Sequence, residues 1–230
     1  MRAFAASALA VCGAVLAAAE AGASEVQRHG LNFEHWVADS FFDGHRSSGA
    51  TDKWDVPASA NERHGRIAVN PKATKYGEPV LLGDALRQYD INEPFLLIVG
   101  FWRQDGRDKK FVQSVVVRVE PESWRNLWAP VTRSDLEMMD NLVKDTSRPI
   151  AEVRREVLRR KKRPPFSEAV IQLNPKIDRS QRRLQCSISY VRLFHNLAPG
   201  RDRKVQPHAE IFGRRIPPIA VSPPRNLPGR

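Results

Sequence analysis

Residues 95–102, Phe-Leu-Leu-Ile-Val-Gly-Phe-Trp, are apolar without interruption. A strand with one solvent face alternates apolar and polar residues. A run that is apolar throughout needs cover on both faces and belongs at the centre of a sheet. Gln104-Asp105-Gly106-Arg107 follows with an Asp-Gly turn signal, and Phe111–Val119 returns as a partner strand. Upstream, Val80–Ile91 reads as a helix, with Leu82, Leu86 and Tyr89 as its packed stripe and Asp84 and Gln88 together on another face. Pro94 stops it. A strand–helix–strand unit beside a hairpin gives an α/β (α+β) chain with a mixed central β-sheet flanked by helices. At 230 residues and 41% hydrophobic, the chain can bury one core and carry an appendage.

The remaining segments arrange themselves around that sheet. Gly30–Phe42 reads as a helix, because Phe33, Trp36, Val37 and Phe41 fall on one stripe. Glu34 lies about 100° from Phe33 and about 20° from Phe41 at the helical period, on the shoulder of the buried face. Asp39 falls on the solvated side. Thr51–Val56 reads as a short strand closed by Pro57, with Asp55 between Trp54 and Val56. Ile67–Val69 begins a second strand, and Pro71 suits its end or an edge. Pro121–Trp128 is a short helix. Thr132 starts another that runs to Lys144 with Leu136, Met139 and Val143 as core, so Trp and Met here read as packing. Ser147–Arg163 is a further helical arm. Glu168–Leu173 reads as a strand ending in Asn174-Pro175-Lys176, an echo of Asn70-Pro71-Lys72 with no repeat around it. Ile188–Leu197 reads as helical. From these signals the chain divides into an Ala-rich segment 1–24, a core 25–120, a helical and basic part 121–215 of the same domain, and a Pro/Arg-rich tail 216–230.

Charge separates along this order. Residues 1–143 hold 16 Lys+Arg against 19 Asp+Glu and residues 144–230 hold 21 against 7, so the net +11 divides into −3 and +14. A basic C-terminal part suits a surface that meets a polyanion, with double-stranded DNA the expected partner. Arg159, Arg160, Lys161, Lys162 and Arg163 form a dense run that Pro164-Pro165 breaks into a loop, suited to phosphate. Lys176, Gln181, Arg182, Arg183, Gln185 and Ser187 supply side chains that contact base edges and phosphates.

Two cysteines, Cys12 and Cys186, with no CxxC and no Cys/His cluster, argue against zinc and against a disulfide framework. A glycosidase or protease reading has little support, with no G-x-S-x-G and no HExxH in the chain. Arg2, the charge-free run Ala3–Ala19 and then Ala21-Gly22-Ala23-Ser24 have the parts of a secretory signal. An Ala-rich helix reads the same residues equally well. A cytoplasmic protein is expected, or an exported one if residues 1–23 are cleaved. The run is too short and too Ala-rich for a membrane span, so no integral membrane association is expected.

Phosphodiester hydrolysis needs an activated water, neutralised phosphate charge and a stabilised leaving oxygen. One or two divalent ions held by carboxylates, with a lysine beside them, meet those needs. Glu34 on a helix, Asp55 at a strand and Asn70-x-Lys72 at the next strand resemble the PD-(D/E)xK nuclease superfamily over about residues 30–120. The helix carrying Asp84 and Gln88-Tyr89 is similar to the polar helix that follows the motif in some members. The resemblance implies a restriction-endonuclease-like fold and a Mg²⁺- (or Mn²⁺-) dependent DNA endonuclease, including the restriction type. It implies Glu34 and Asp55 as metal ligands and Lys72 as the catalytic lysine. Asn70 stands where the motif has an acid, so an uncharged amide oxygen would serve as a ligand, with Asp84 as the compensating anion. Asn70 equally suits a DNA-binding protein on a nuclease-like fold without catalysis. A homodimer and an exported protein that binds an anionic surface polymer remain open.

Overall fold

The structure, a computed structural model, describes residues 25–47, 53–106 and 108–220. Its centre is the expected apolar run. Strand β3 (Phe95–Asp105) is buried at every position from Phe95 to Phe101 and forms a long antiparallel hairpin with β4 (Asp108–Val119). On its other side β3 pairs in parallel with β1 (Ala68–Lys75), placing Lys72 opposite Val99. β1 is the edge of this sheet, so Pro71 removes no ladder hydrogen bond that a neighbouring full strand would need. The only pairing recorded beyond β1, among the described residues, is an antiparallel bridge between Val56 and Val69. The expected strand 51–56 is thus reduced to one bridge, with Thr51 and Asp52 outside the described residues.

Each face of the sheet is covered, as the run demands. On one side lies α1 (Glu25–Phe41), whose Phe33 and Val37, with Phe42 just beyond, pack on Val69, Ile98 and Phe111. Gly100 allows this approach. A Cβ there would stand 2.6 Å from the Phe33 ring and 2.7 Å from Phe111, well inside contact distance. The other face carries the larger cluster, in which Phe95, Leu97, Val99 and Phe101 meet Trp124, Leu136, Met139 and Val157. These come from α3 (Pro121–Asn126), α4 (Arg133–Lys144) and α5 (Ile150–Lys161). Thr132 caps α4 reciprocally with Asp135, so the sequence signal for that helix start corresponds to a capping box.

The segment expected as one helix over 80–91 is two elements. Val80–Asp84 is strand β2, and only Ala85–Tyr89 is helical, as α2. Val80 and Leu82 are buried with Leu81 exposed between them, the alternation of a strand with one wet face. Gly83, at φ 99°, turns the chain, and Asp84 caps α2 by accepting from the Arg87 amide at 2.9 Å. Tertiary pairing overrides the helical spacing because β2 finds a partner far along the chain. It is antiparallel to β6 (Arg182–Ile188), which also pairs with β5 (Gln172–Ile177). Residues 179–187, expected as an open contact stretch, therefore hold the middle strand of a second sheet ordered β2-β6-β5. The strand expected at 168–173 lies four residues later, with Asn174-Pro175-Lys176 inside it. Both Asn-Pro-Lys segments thus sit in edge strands.

Helix α6 (Tyr190–Asn196) follows, then β7 (Glu210–Ile211), β8 (Arg214–Arg215) and β9 (Ile219–Ala220). β9 pairs with β4, and Ile216 and Ile219 are buried against the α1 side. The expected free tail from 216 is part of the fold as far as 220. Residues 1–24 and 221–230, including the signal-like segment, lie outside the described residues. Among the described residues, no helix is long and apolar enough to cross a membrane.

Candidate functional site

Three elements converge beside β1. The docking of Phe33 over Gly100 brings α1 close to the sheet, and the next residue, Glu34, emerges at its rim. Asp55 is fixed from both sides. Val56 bridges to Val69, while the Trp54 ring packs 5.0 Å from that of Phe95 and donates to Glu93 at 2.8 Å. Lys53 ion-pairs with the same Glu93 at 2.7 Å. Lys72 projects from β1 on the face shared by Ala68 and Asn70.

The outcome is a cluster. Lys72 Nζ donates to Asp55 Oδ2 at 2.9 Å and lies 3.9 Å from Glu34 Oε1. The two carboxylate oxygens are therefore no farther apart than the sum of those distances. All three side chains are between one fifth and one third exposed, enough to meet a ligand and too little for full hydration. Burial raises the pKa of Glu34 above the ordinary carboxylate value; Lys72 opposes the shift and Asp55 adds to it.

These residues open on a cleft of about 290 Å³ that Asn70, Asp84, Gln88, Lys53 and Arg87 also line. All the expected metal ligands thus share one space, but not in one coordination group. Among the described residues, no three of His, Cys, Asp and Glu are placed together to hold a metal ion. Asp84, expected to compensate for Asn70, spends Oδ1 on capping α2. The oxygen donors nearest a common point are Glu34 and Asp55, with buried Asn70 on the same strand as Lys72. Two carboxylates suffice for an ion that retains waters and takes phosphate oxygens, so the donor set fits Mg²⁺ or Mn²⁺.

Lys53 and Arg87 on the cleft were not singled out from sequence. Only the strand–turn–helix shape of 80–89 brings Arg87 to this side. Gln88 is buried, and its Oε1 has no hydrogen-bond partner among the described residues. A second depression, of about 120 Å³, lies on the far side of Glu34 and Asp55, lined by His35, His45 and Arg46.

The expected DNA contacts fare unevenly. Arg159 makes two hydrogen bonds to Glu156, at 2.8 and 2.6 Å, and Arg160 makes one at 2.7 Å. These bonds hold the Glu156 pKa down to about 2. Lys161 is half-buried, and burial lowers its pKa. Lys162, Arg163 and Lys176 are exposed. Gln181 donates to Asp178 and accepts from exposed Arg183, while Arg182 donates to the Asp145 carbonyl. Gln185 is half-buried opposite Asp84 and Asn174. Ser187 does not belong to an exposed contact surface. It is 2% exposed and accepts from Asn174 Nδ2 at 2.6 Å, because β6 lies between two strands.

Comparison with protein families, with curated proteins and with solved structures finds no match to the chain.

Proposed function

We propose that this chain is a metal-dependent deoxyribonuclease that hydrolyses phosphodiester bonds in double-stranded DNA. The observation that carries the reading is the meeting of Glu34 and Asp55 on Lys72, from a helix, a bridge and a strand remote in sequence. The surrounding order supports it. Helix α1, the Asp55 segment, the lysine strand β1 and the parallel strand β3 support the order implied by the PD-(D/E)xK resemblance, with β2 inserted ahead of the short helix α2. The +14 charge of residues 144–230 supports a polyanionic substrate.

In this reading Glu34 and Asp55 hold the ion, with the Asn70 amide oxygen beside them. A bound Mg²⁺ would offset phosphate charge and lower the pKa of its water. Lys72 Nζ has three donors, one of them spent on Asp55. The others orient the attacking water or meet a non-bridging phosphate oxygen. Arg87 and Lys53, the latter paired with Glu93, line the cleft where the scissile phosphate would lie.

One observation favours a second reading, a DNA-binding protein without catalysis. Asn70 gives the cleft one acid fewer than the motif, and Asp84 does not replace it. Titrating Mg²⁺ into a duplex cleavage assay, with EDTA and Mn²⁺ arms, separates the two. Cleavage that needs the ion and stops with EDTA supports the nuclease. Duplex binding without cleavage in either metal leaves the binding protein.

A further inference from the structure

Among the described residues, one group of unpaired cations on a pinned backbone lies just after α6. Tyr76 Oη and Tyr190 Oη both donate to the Arg203 carbonyl, at 2.6 and 2.8 Å. Gln113, 2% exposed on β4, donates to the Asp202 carbonyl at 2.6 Å and reaches the Lys204 carbonyl at 3.4 Å. Asp202 turns back to accept from the Lys204 amide at 2.9 Å. Three consecutive carbonyls are thus drawn inward by side chains from the end of β1, from β4 and from α6.

With the carbonyls turned in, Arg201, Arg203 and Lys204 are exposed. None of these three side chains has a hydrogen bond or ion pair among the described residues. Exposed Arg103 joins them, its guanidinium 4.7 Å from the centre of the Tyr76 ring. Solubility alone would be served by mobile cations; like charges kept close on a pinned loop repel one another until an anion meets them. The loop also lies on the site's side of the sheet. Residues 72, 74 and 76 alternate onto one face, so Tyr76 stands about 13 Å beyond Lys72 at about 3.3 Å per residue. A DNA strand passes about four phosphates in that distance, at about 3.4 Å of helix axis each.

We propose that Arg201, Arg203 and Lys204, with Arg103, clamp the phosphate backbone of double-stranded DNA that is engaged at the Lys72 cleft. The proposal rests on the nuclease reading for its ligand and adds where the duplex is held.

The test is duplex binding by the full chain, followed by fluorescence anisotropy in EDTA over a salt series. The R201Q/R203Q/K204Q variant is expected to bind about tenfold or more weakly, with a log K against log salt slope shallower by about 2 to 3, near 0.9 per lost phosphate contact. Its thermal unfolding is expected to match the wild type, since none of the three side chains makes a hydrogen bond or ion pair among the described residues. Should it fail to fold, K204Q alone carries the test, with a slope shallower by about 0.9. Tyr76→Phe keeps every charge and removes one of the two hydrogen bonds on the Arg203 carbonyl, so it should weaken binding by up to a few-fold at unchanged slope. Wild-type affinity and slope in the charge variants overturn the clamp and leave the nuclease reading standing. A wild type that binds duplex through the loop but never cleaves it overturns the nuclease reading and supports the clamp. A wild type that binds no duplex overturns both.

Discussion

The acid–lysine cleft and the basic end of α5 are built in opposite ways. In the cleft, three charges come from three separately anchored elements and are half-buried, so none can relax without moving backbone. On α5 the charges are neighbours on one helix surface, and Glu156 is shared as ion-pair partner by Arg159 and Arg160 at i+3 and i+4 spacing. Pairs of that exposed kind add little stability and weaken with salt. Charge density along a chain therefore says little about charge available to a ligand. Availability depends on whether a partner lies within one helical turn.

The largest effect expected from this contrast lies in the cleft. Lys72→Ala and Asp55→Ala should each lower Mg²⁺-dependent cleavage by about 100-fold or more while duplex binding persists. Single-turnover assays returning near-wild-type rates would remove the cluster from catalysis. Next comes the support beneath it. Gly100→Ala forces a methyl against Phe33 and Phe111 and should cost about 1–3 kcal/mol in urea unfolding. Because Phe33 precedes Glu34, cleavage should fall as well; stability and activity both at wild-type level would detach α1 from the site.

Glu34→Gln sharpens the comparison through pH. The folded-state pKa of Glu34 is raised, so the folded chain binds that proton more tightly than the unfolded chain. Its favourable contribution is complete below the ordinary value of 4.5 and is lost as pH rises through the folded value. The variant should therefore gain melting temperature over wild type at pH 7 and little at pH 4. Equal gains at both values would mean that burial does not govern this carboxyl. The smallest change is expected on α5. The R159Q/R160Q variant should alter duplex affinity by less than about tenfold, since both arginines are already paired. A loss as large as that of the 201–204 variant would return the basic run to the interface.

Much of the framework was legible in the sequence. The apolar run could only be a covered central strand, and the capping pattern at Thr132 fixed the start of α4. Glu34 on the shoulder of its stripe and Lys72 after a short apolar run were identifiable one at a time. Their meeting with Asp55 came from the resemblance, since no local pattern records a contact across 17 residues of loop and bridge. The failures share a cause. Val80–Asp84 has helical spacing, and 182–188 reads as a polar contact stretch, yet each becomes a strand because the other is there to pair with it. Ser187 was misjudged for a related reason, and the Glu156 pairing of the α5 arginines went unseen for the same one, since residue type shows what a side chain can do but not whether a neighbour already occupies it.

That long-range pairing also governs how the molecule can be divided. The wall of the cleft formed by residues 80–84 is hydrogen-bonded to a strand about a hundred positions later. A fragment ending near residue 120 would carry every acid and the lysine, yet lack the ladder that gives the wall its shape. The cleft and the strand at 182–188 are therefore one structural unit, and a shortened chain that keeps the shape of one must keep the other.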